Sequence, residues 1–473
     1  MKTTMGLLAG VGLSVCASVH AADPLPDSFT YAGITLYSTI DVGFAYQSHG
    51  VPLSTTLPGG LEYQAFTTTR NFAGHQATVA ESGEQQSNVG IRADVPTGYN
   101  FNIVGVLETG FNPLSGQLTD ACASIEQNSG VKQGHQTANA DSSRCGQAFN
   151  SQAFGGVSSK QFGTLTIGRH NSLQLAALAQ YDPQTLSYAF SFLGYSGFDG
   201  GAGSTQGARW DNSAKYALVS GPVHAAVMFS NGGADTGIQG QAYGGEVGVA
   251  IQGLSLDAVY QKEYGAVNLR SSFDNAADPV PTPGLAAYIS DDTSYNLMGK
   301  YTFDLGGGGM GADGKPTPGD KLTLYAGYSH MQKAHSDESY ALSQGGYPIS
   351  IGININDSAE YNLEWIGAKY QLASGWSFTG AFYRASQNSW TIGLGPTGTQ
   401  GIGCSAAGLL CAGDFYEGSL VADYAFNKHF DTYGGINYSE VTDGLANGFV
   451  GTTVGTSGSE NQATAMVGFR LRL

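Results

Sequence analysis

The sequence predicts an all-β protein: a sixteen-stranded antiparallel β-barrel that crosses a membrane. Three observations carry that prediction. First, residues 463–473 alternate strictly, with Ala463, Ala465, Val467, Phe469, Leu471 and Leu473 on one face and Thr464, Met466, Gly468, Arg470 and Arg472 on the other. Side chains alternate faces along a strand, so one face is apolar and its opposite carries two arginines. A barrel wall needs this division, because one face meets lipid and the other meets water. Second, beyond the N-terminus no stretch is apolar over the ~20 residues that a membrane helix requires. Third, short turns alternate with long polar loops along the chain, as the two ends of a transmembrane barrel demand.

The first residues read as an export signal. Lys2 supplies a positive start, Met5 to Val15 is apolar, and Val19-His20-Ala21 has the small-x-small form of a cleavage site. Residues 1–21 are therefore expected to be removed, leaving 22–473 as the barrel. The apolar run is too short for a membrane anchor. Only 12% of residues are charged, while Gly at 70 and Tyr at 26 are abundant. Mean hydropathy is −0.12, a value that does not separate a barrel from a soluble protein, since half of each barrel strand is polar. The formal charge of −17 becomes −18 once Lys2 is lost, with 19 basic residues against 37 acidic. That balance excludes nucleic acid as a partner.

The strands are expected to start near Gly33, Ser87, Tyr99, Asn150, Phe162, Arg209, Val223, Gln241, Leu254, Ser294, Lys321, Tyr361, Trp376, Phe415, Lys428 and Gln462. Ile34, Leu36, Ile40, Val42, Phe44 and Tyr46 share one face of the first; Val89, Ile91, Ala93 and Val95 do so in the second. Leu254, Leu256, Ala258 and Tyr260 repeat the pattern, as do Leu322, Leu324, Ala326 and Tyr328, then Trp376, Phe378 and Phe382. Between them lie short turns such as Pro96-Thr97-Gly98, Ser220-Gly221-Pro222, Gln252-Gly253 and Ser374-Gly375. Long stretches rich in Gly, Ser, Asn, Asp and Pro occupy about 48–86, 111–149, 170–208, 230–240, 265–293, 334–360, 389–413 and 442–461. One further turn, 304–320, is long and glycine-rich. A soluble β-helix or propeller would show a fixed repeat length, which this chain lacks.

Cys16 leaves with the signal. Cys122, Cys145, Cys404 and Cys411 remain, an even count that suggests disulfides in an exported chain. Neighbour pairing, Cys122–Cys145 and Cys404–Cys411, is expected among the three connectivities, and both bridges then fall in long loops.

Several segments resemble one family. Gly33-Ile34-Thr35-Leu36-Tyr37 with Asp41, Asn88-Val89-Gly90-Ile91-Arg92, and Leu107-Glu108-Thr109-Gly110-Phe111 carry the resemblance in the first three strands. The most specific match runs from Gln152 through Gly163-Thr164-Leu165-Thr166-Ile167-Gly168-Arg169. Arg209 with Asn212-Ser213-Ala214-Lys215-Tyr216, and Asp423-Tyr424-Ala425-Phe426-Asn427-Lys428, continue it. Together they resemble the trimeric general porins of Gram-negative outer membranes, in the form common among β-proteobacteria. The resemblance implies a homotrimer in outer-membrane lipid, inserted by the barrel assembly machinery, with both termini in the periplasm and no cofactor. It implies passive diffusion of ions and small hydrophilic solutes. Where the family ends in Phe, this chain ends in Leu473.

The resemblance also implies that the third long loop folds inward as the constriction, offering Asp182 and Asp199 to the lumen. Alternation supplies the facing wall. Arg92 lies opposite the apolar set Val89, Ile91 and Ala93, so it points inward. Glu108 lies opposite Ile103 and Leu107 and does likewise. Arg209, Asp211 and Lys215 share one parity, opposite Trp210, Tyr216 and Leu218, and are expected inside. Arg169 shares the outward parity of Leu165 and Ile167. An arginine facing mid-bilayer costs roughly 2–4 kcal/mol, so it is expected at the membrane edge or against a neighbouring subunit, with Asp120 or Glu126 of the second long loop as the acid.

The histidines are scattered and show no metal-ligand spacing. Residues 306–309 are glycines without the pattern or following helix of a dinucleotide loop. No catalytic motif stands out, so an enzyme is disfavoured. A substrate-selective channel on the same fold is the main alternative, because Tyr181, Tyr188, Phe190, Phe192, Tyr195 and Phe198 crowd the third loop. An adhesin built on the long loops is a further one. The acid-heavy total favours cations, whereas the luminal arginines oppose that preference.

Overall fold

The computed structural model describes residues 29–48, 75–120, 122–123, 126, 144–196, 207–232, 240–270, 285–308, 319–337, 343–344, 346–393, 412–443 and 461–473. Sixteen antiparallel strands close into a barrel. They are β1 (Ile34–Gln47), β2 (Asn88–Pro96), β3 (Asn102–Gly110), β4 (Gln152–Ser159), β5 (Gly163–Asn171), β6 (Arg209–Ser220), β7 (Val223–Asn231), β8 (Gln241–Ile251), β9 (Leu254–Arg270), β10 (Leu285–Gly306), β11 (Asp320–Ala334), β12 (Ala359–Gln371), β13 (Trp376–Gln387), β14 (Gly413–Ala425), β15 (Phe430–Val441) and β16 (Asn461–Arg472). Each pairs with the next, and β16 returns to β1 with Asp41 opposite Arg470 and Val42 opposite Phe469. Closure leaves no free edge in the ring, which lipid would not tolerate. Leu473 donates its N–H to the Ser38 carbonyl at 2.9 Å and completes that seam.

The alternation read from the sequence sorts the two faces as expected. On β1, Ile34, Leu36, Phe44 and Tyr46 are exposed on the outer surface, while Thr39, Asp41, Ala45 and Gln47 are buried inside. At the short-turn end, aromatic rings line up in a girdle: Phe101 with Phe162 at 6.2 Å, Trp376 with Tyr424 at 4.9 Å, and Phe426 with Phe430 at 5.3 Å. Nearer the long-loop end, Tyr243, Tyr260 and Tyr295 form a second row, 6.1 and 5.3 Å apart. Two such rows bracketing an apolar belt mark the two membrane interfaces. No helix among the described residues is long and apolar enough to cross a membrane.

Fifteen strands begin within three residues of the expected starts, and β10 begins nine residues early, at Leu285. Its first residues pair with the end of β9, up to Ala286 opposite Arg270. They also pair in parallel with the strand Tyr347–Asp357. This ribbon stands beyond the membrane, where no lipid enforces alternation and the sequence signal is lost.

The other departure is at β2. The strand Gln76–Glu81 pairs with Val42–Gln47 of β1, and β2 pairs with Ile34–Thr39. Residues 82–87 between them leave the wall and turn inward.

One arc of the interior is apolar. Met228, Val259, Met298, Met331, Leu363, Trp365 and Phe415, all from wall strands, form one cluster with Leu173, Leu178, Tyr181, Phe192 and Leu193 of the third long loop. Inward apolar side chains on a water-filled barrel would be costly; here they bury a folded loop instead.

Candidate channel constriction

The third loop leaves β5 through a capped helix. Ser172 accepts the Leu175 N–H at 3.2 Å and starts α1 (Leu173–Tyr181). Ser at this position satisfies a donor that has no partner within the helix. The helix lies on the inner wall and is stitched there by Gln174, which is fully buried. Its carboxamide oxygen accepts from Ser294 at 2.7 Å and Gln261 at 3.2 Å, and its nitrogen donates to Asn296 at 2.8 Å. The Gln174 backbone N–H donates to Gln261 at 3.0 Å. Beyond the helix, Trp365 donates to the Tyr181 carbonyl at 3.0 Å. Pro183 sits where Gly367 has no side chain, since a Cβ there would lie 2.3 Å from the proline ring.

Asp182 organises the next turn. Its carboxylate is fully buried and accepts from Tyr383 OH at 2.5 Å, Leu186 N–H and Ser191 OH at 2.7 Å, and Gln184 N–H at 3.2 Å. Thr185 and Leu186 both hold positive φ, 54° and 59°, a conformation that branched and bulky residues avoid. Asp182 stabilises that strained turn by bonding the Leu186 amide. Burial pushes its carboxyl above the usual range, opposed by these four hydrogen bonds. Asp182 is thus not a water-facing acid, as the sequence suggested. Its carboxylate anchors the loop to β13.

The loop continues around the wall. Gln184 donates to Ser419 of β14 at 2.9 Å, and Asn437 of β15 donates to the Ala189 carbonyl at 3.2 Å. Phe190 packs edge-on to Tyr433, 6.3 Å between centroids. It then meets the inward segment 82–87: Ser187 OH and Ala189 N–H both donate to the Gly83 carbonyl, at 2.7 and 2.9 Å. A belt pinned from β9 through β15 to this segment narrows the barrel from one side. Tyr181, Phe190 and Phe192 are fully buried against the wall and Tyr188 partly so, while Phe198 and the Tyr195 side chain lie outside the described residues.

The inward segment has its own anchor. Glu84 and Gln85 donate their N–H groups to Asp41 at 2.9 and 2.8 Å, and Tyr433 OH donates to the other Asp41 oxygen at 2.7 Å. The Glu84 carboxylate meets Arg470 at 2.5 Å. The same guanidinium holds Asp423 at 3.0 Å and Asp431 at 2.8 Å, and Arg472 also contacts Asp431. Burial pushes the Glu84 carboxyl well up, opposed by the Arg470 charge. Sequence reasoning placed Arg470 and Arg472 on the inner face but missed this cluster, since its members come from β1, β14, β15, β16 and the inward segment.

Glu108 accepts from Tyr37 OH at 2.9 Å, and Tyr37 fills the space above Gly90 on the inner wall. Arg92 lies one inward position below Gly90 and is exposed. Lys215 of β6 is an electrostatic neighbour of Glu246 on β8.

At the top of β6 the register runs from Gly168 opposite Ser213 to His170 opposite Trp210, so three residues of β6 oppose two of β5. This bulge, with Asn212 at φ 50°, inverts the alternation. Trp210 consequently joins the inner apolar cluster. Asp211 moves beside Arg169, with Nη1 to Oδ1 at 2.7 Å, and Arg169 also donates to the Asn150 carbonyl at 2.9 Å. Arg209 is buried opposite Asn171. The inward placement of Arg209 and Asp211 assumed an alternation that the bulge breaks. Arg169 therefore finds an acid within its own chain. Asp211 is half-exposed, so a double-mutant cycle of Arg169→Met and Asp211→Asn is expected to return a coupling of only about 0.2–1 kcal/mol in thermal unfolding.

Cys122 and Cys145 are bonded, with Cα atoms 4.9 Å apart. They pack against Val267, Leu285 and Ile289 of the β9–β10 ribbon. Asp120 accepts from Tyr347 OH at 2.9 Å, and Glu126 is an electrostatic neighbour of the same tyrosine. The second loop is therefore held by this chain's own outer ribbon. Asp199, Cys404, Cys411 and the signal segment 1–21 lie outside the described residues.

A family model described as Gram-negative porin matches residues 7–444. The chain belongs to that family. This porin is an outer-membrane channel of a Gram-negative bacterium, through which solutes pass by passive diffusion. Among solved structures, it is similar to an anion-selective porin from Comamonas acidovorans, at 14% identity over 93% of this chain and 99% of that one, with a TM-score of 0.55. It is also similar to the outer-membrane OmpT of Vibrio cholerae, at 11% identity over 94% and 100%, with a TM-score of 0.52. A trimer form of that protein, 12% identical over 93% and 99%, gives 0.50. These identities establish a shared fold. No curated protein sequence matches the porin.

Proposed function

We propose that this porin is a non-enzymatic, trimeric general diffusion channel with a fixed constriction, exported by cleavage after Ala21 and inserted into outer-membrane lipid by the barrel assembly machinery. The observation that carries the reading is the pinned third loop. Its polar stitches at Gln174, Asp182 and Gly83 set one side of the opening. The opposite wall offers Arg92 and Glu108, while Lys215 lies beside Glu246, next to Tyr181 of the loop itself. Oppositely charged groups across a narrow path orient dipolar solutes and disfavour apolar ones. General diffusion is favoured over a substrate-selective channel because three of the six loop aromatics are fully buried in packing and do not line a sugar- or aromatic-binding track. A trimer form of a similar barrel supports the assembly.

Single-channel recording of the refolded protein in a planar bilayer tests this directly. Large steps that close in threes and scale linearly with KCl concentration are expected. Small steps that saturate with salt or are blocked by one solute would transfer the reading to a selective channel. Absence of steps from a verified folded barrel would end it.

A further inference from the structure

We propose that the inner wall carries a site for a divalent transition-metal cation, formed by His224 of β7, Glu246 of β8 and Asp257 of β9. The three residues are far apart in sequence, but the strand register brings them together. Gly248 of β8 stands opposite both His224 and Asp257. A Cβ at Gly248 would lie 1.7 Å from Asp257 Oδ1 and 2.2 Å from His224 Nε2, so only glycine lets these side chains close over the strand. They meet there at 2.5 Å, with Glu246 Oε1 at 3.9 Å from the same imidazole nitrogen. One donor atom from each residue falls within a 4.8 Å cluster, the only such group of His, Cys or carboxylate side chains among the described residues.

The donor chemistry points to the cation class. One imidazole and two carboxylates, with open positions left for water, suit Zn²⁺ and its first-row neighbours. Ca²⁺ prefers six or more oxygens and Mg²⁺ keeps most of its waters, so neither fits a histidine-centred set. Asp257 has no exposed side-chain surface and its Oδ2 makes no hydrogen bond. An unsatisfied buried carboxylate oxygen is costly, and a bound cation would offset that cost. His224 and Glu246 keep 24% and 15% of their side-chain surface exposed, so a cation reaches the site from the lumen. Lys215 stands beside Glu246 and weakens the site. Lys300, an electrostatic neighbour of Asp257, directs its ammonium to the Gln180 carbonyl at 3.1 Å.

The test is calorimetric titration of ZnCl₂ into the detergent-solubilised, untagged full-length porin after EDTA treatment. One Zn²⁺ per chain is expected. Affinity should fall at least tenfold in His224→Ala and in Glu246→Gln, and stay unchanged in His330→Ala. The Glu246 variant leaves the His224–Asp257 pair in place, so it decides the question if the His224 variant does not fold. Absence of Zn²⁺ binding by the unaltered porin, or equal affinity in the Glu246 variant, overturns the proposal. Neither outcome touches the diffusion reading, which rests on conductance.

Discussion

Replacing Asp182 by alanine is expected to raise single-channel conductance and to make the open current noisy. The carboxylate accepts four hydrogen bonds from Tyr383, Ser191 and the amides of Gln184 and Leu186. Deleting it leaves those donors buried and unpaired, at about 1–3 kcal/mol each where water cannot replace the lost acceptor. It also removes the contact that holds Thr185 and Leu186 at positive φ, and such residues cost about 1–3 kcal/mol each without support. The turn between Pro183 and Phe190 then loses its fixed position and no longer holds one narrow opening. The barrel itself should remain intact, since the ladder of β12 with β13 and of β13 with β14 does not pass through Asp182. Heat-modifiable migration in detergent gels verifies that point. Asp182→Asn keeps one acceptor oxygen and should fall between the two. Unchanged conductance and noise in a folded alanine variant would show that the loop is held by its apolar face alone.

The wall was legible in the sequence because its cause is local. Val42, Phe44 and Tyr46 alternate with Gly43, Ala45 and Gln47 since each strand must separate lipid from water residue by residue, and that separation appears within ten residues of any point. Fifteen strand starts could therefore be read closely. Where the constraint stops, so does the signal: Leu285–Ser290 pair above the membrane and carry no alternation to read. Parity fails for Trp210 and Asp211, because one inserted residue at Asn212 shifts everything beyond it to the other face. The constriction was legible only in outline. Asp182 is an acid in the third loop, but whether it meets water or Tyr383 depends on a partner 201 positions away. The Arg470 cluster and the His224–Glu246–Asp257 group are likewise products of register between distant strands, and no local spacing announces them.

Arg470→Met is expected to be the most destabilising change in the wall. Arg470 holds Glu84, Asp423 and Asp431 at 2.5–3.0 Å, and the three acids retain only 9%, 12% and 4% of their side-chain surface. Removing one partner of a buried ion pair costs about 3–5 kcal/mol, because the opposite charge is left uncompensated. Here three acids lose a common partner, so they must take up protons or admit water. The midpoint of thermal unfolding, read as loss of the compact gel form, should fall accordingly. Arg470→Lys keeps the charge but not the planar fork that reaches three carboxylates at once, and should recover part of the loss. Combining Arg470→Met with Glu84→Gln should also recover part; no recovery would mean that the stacking of the guanidinium over Tyr433 matters more than its charge toward Glu84. The effect should extend to the pore. Arg470 anchors Glu84, Glu84 belongs to the inward segment, and Gly83 of that segment receives Ser187 and Ala189 of the third loop. The Asp182 and Arg470 changes therefore release two separate anchors of one belt. Their effects on conductance should combine by more than their sum, because a belt that keeps either anchor still occludes.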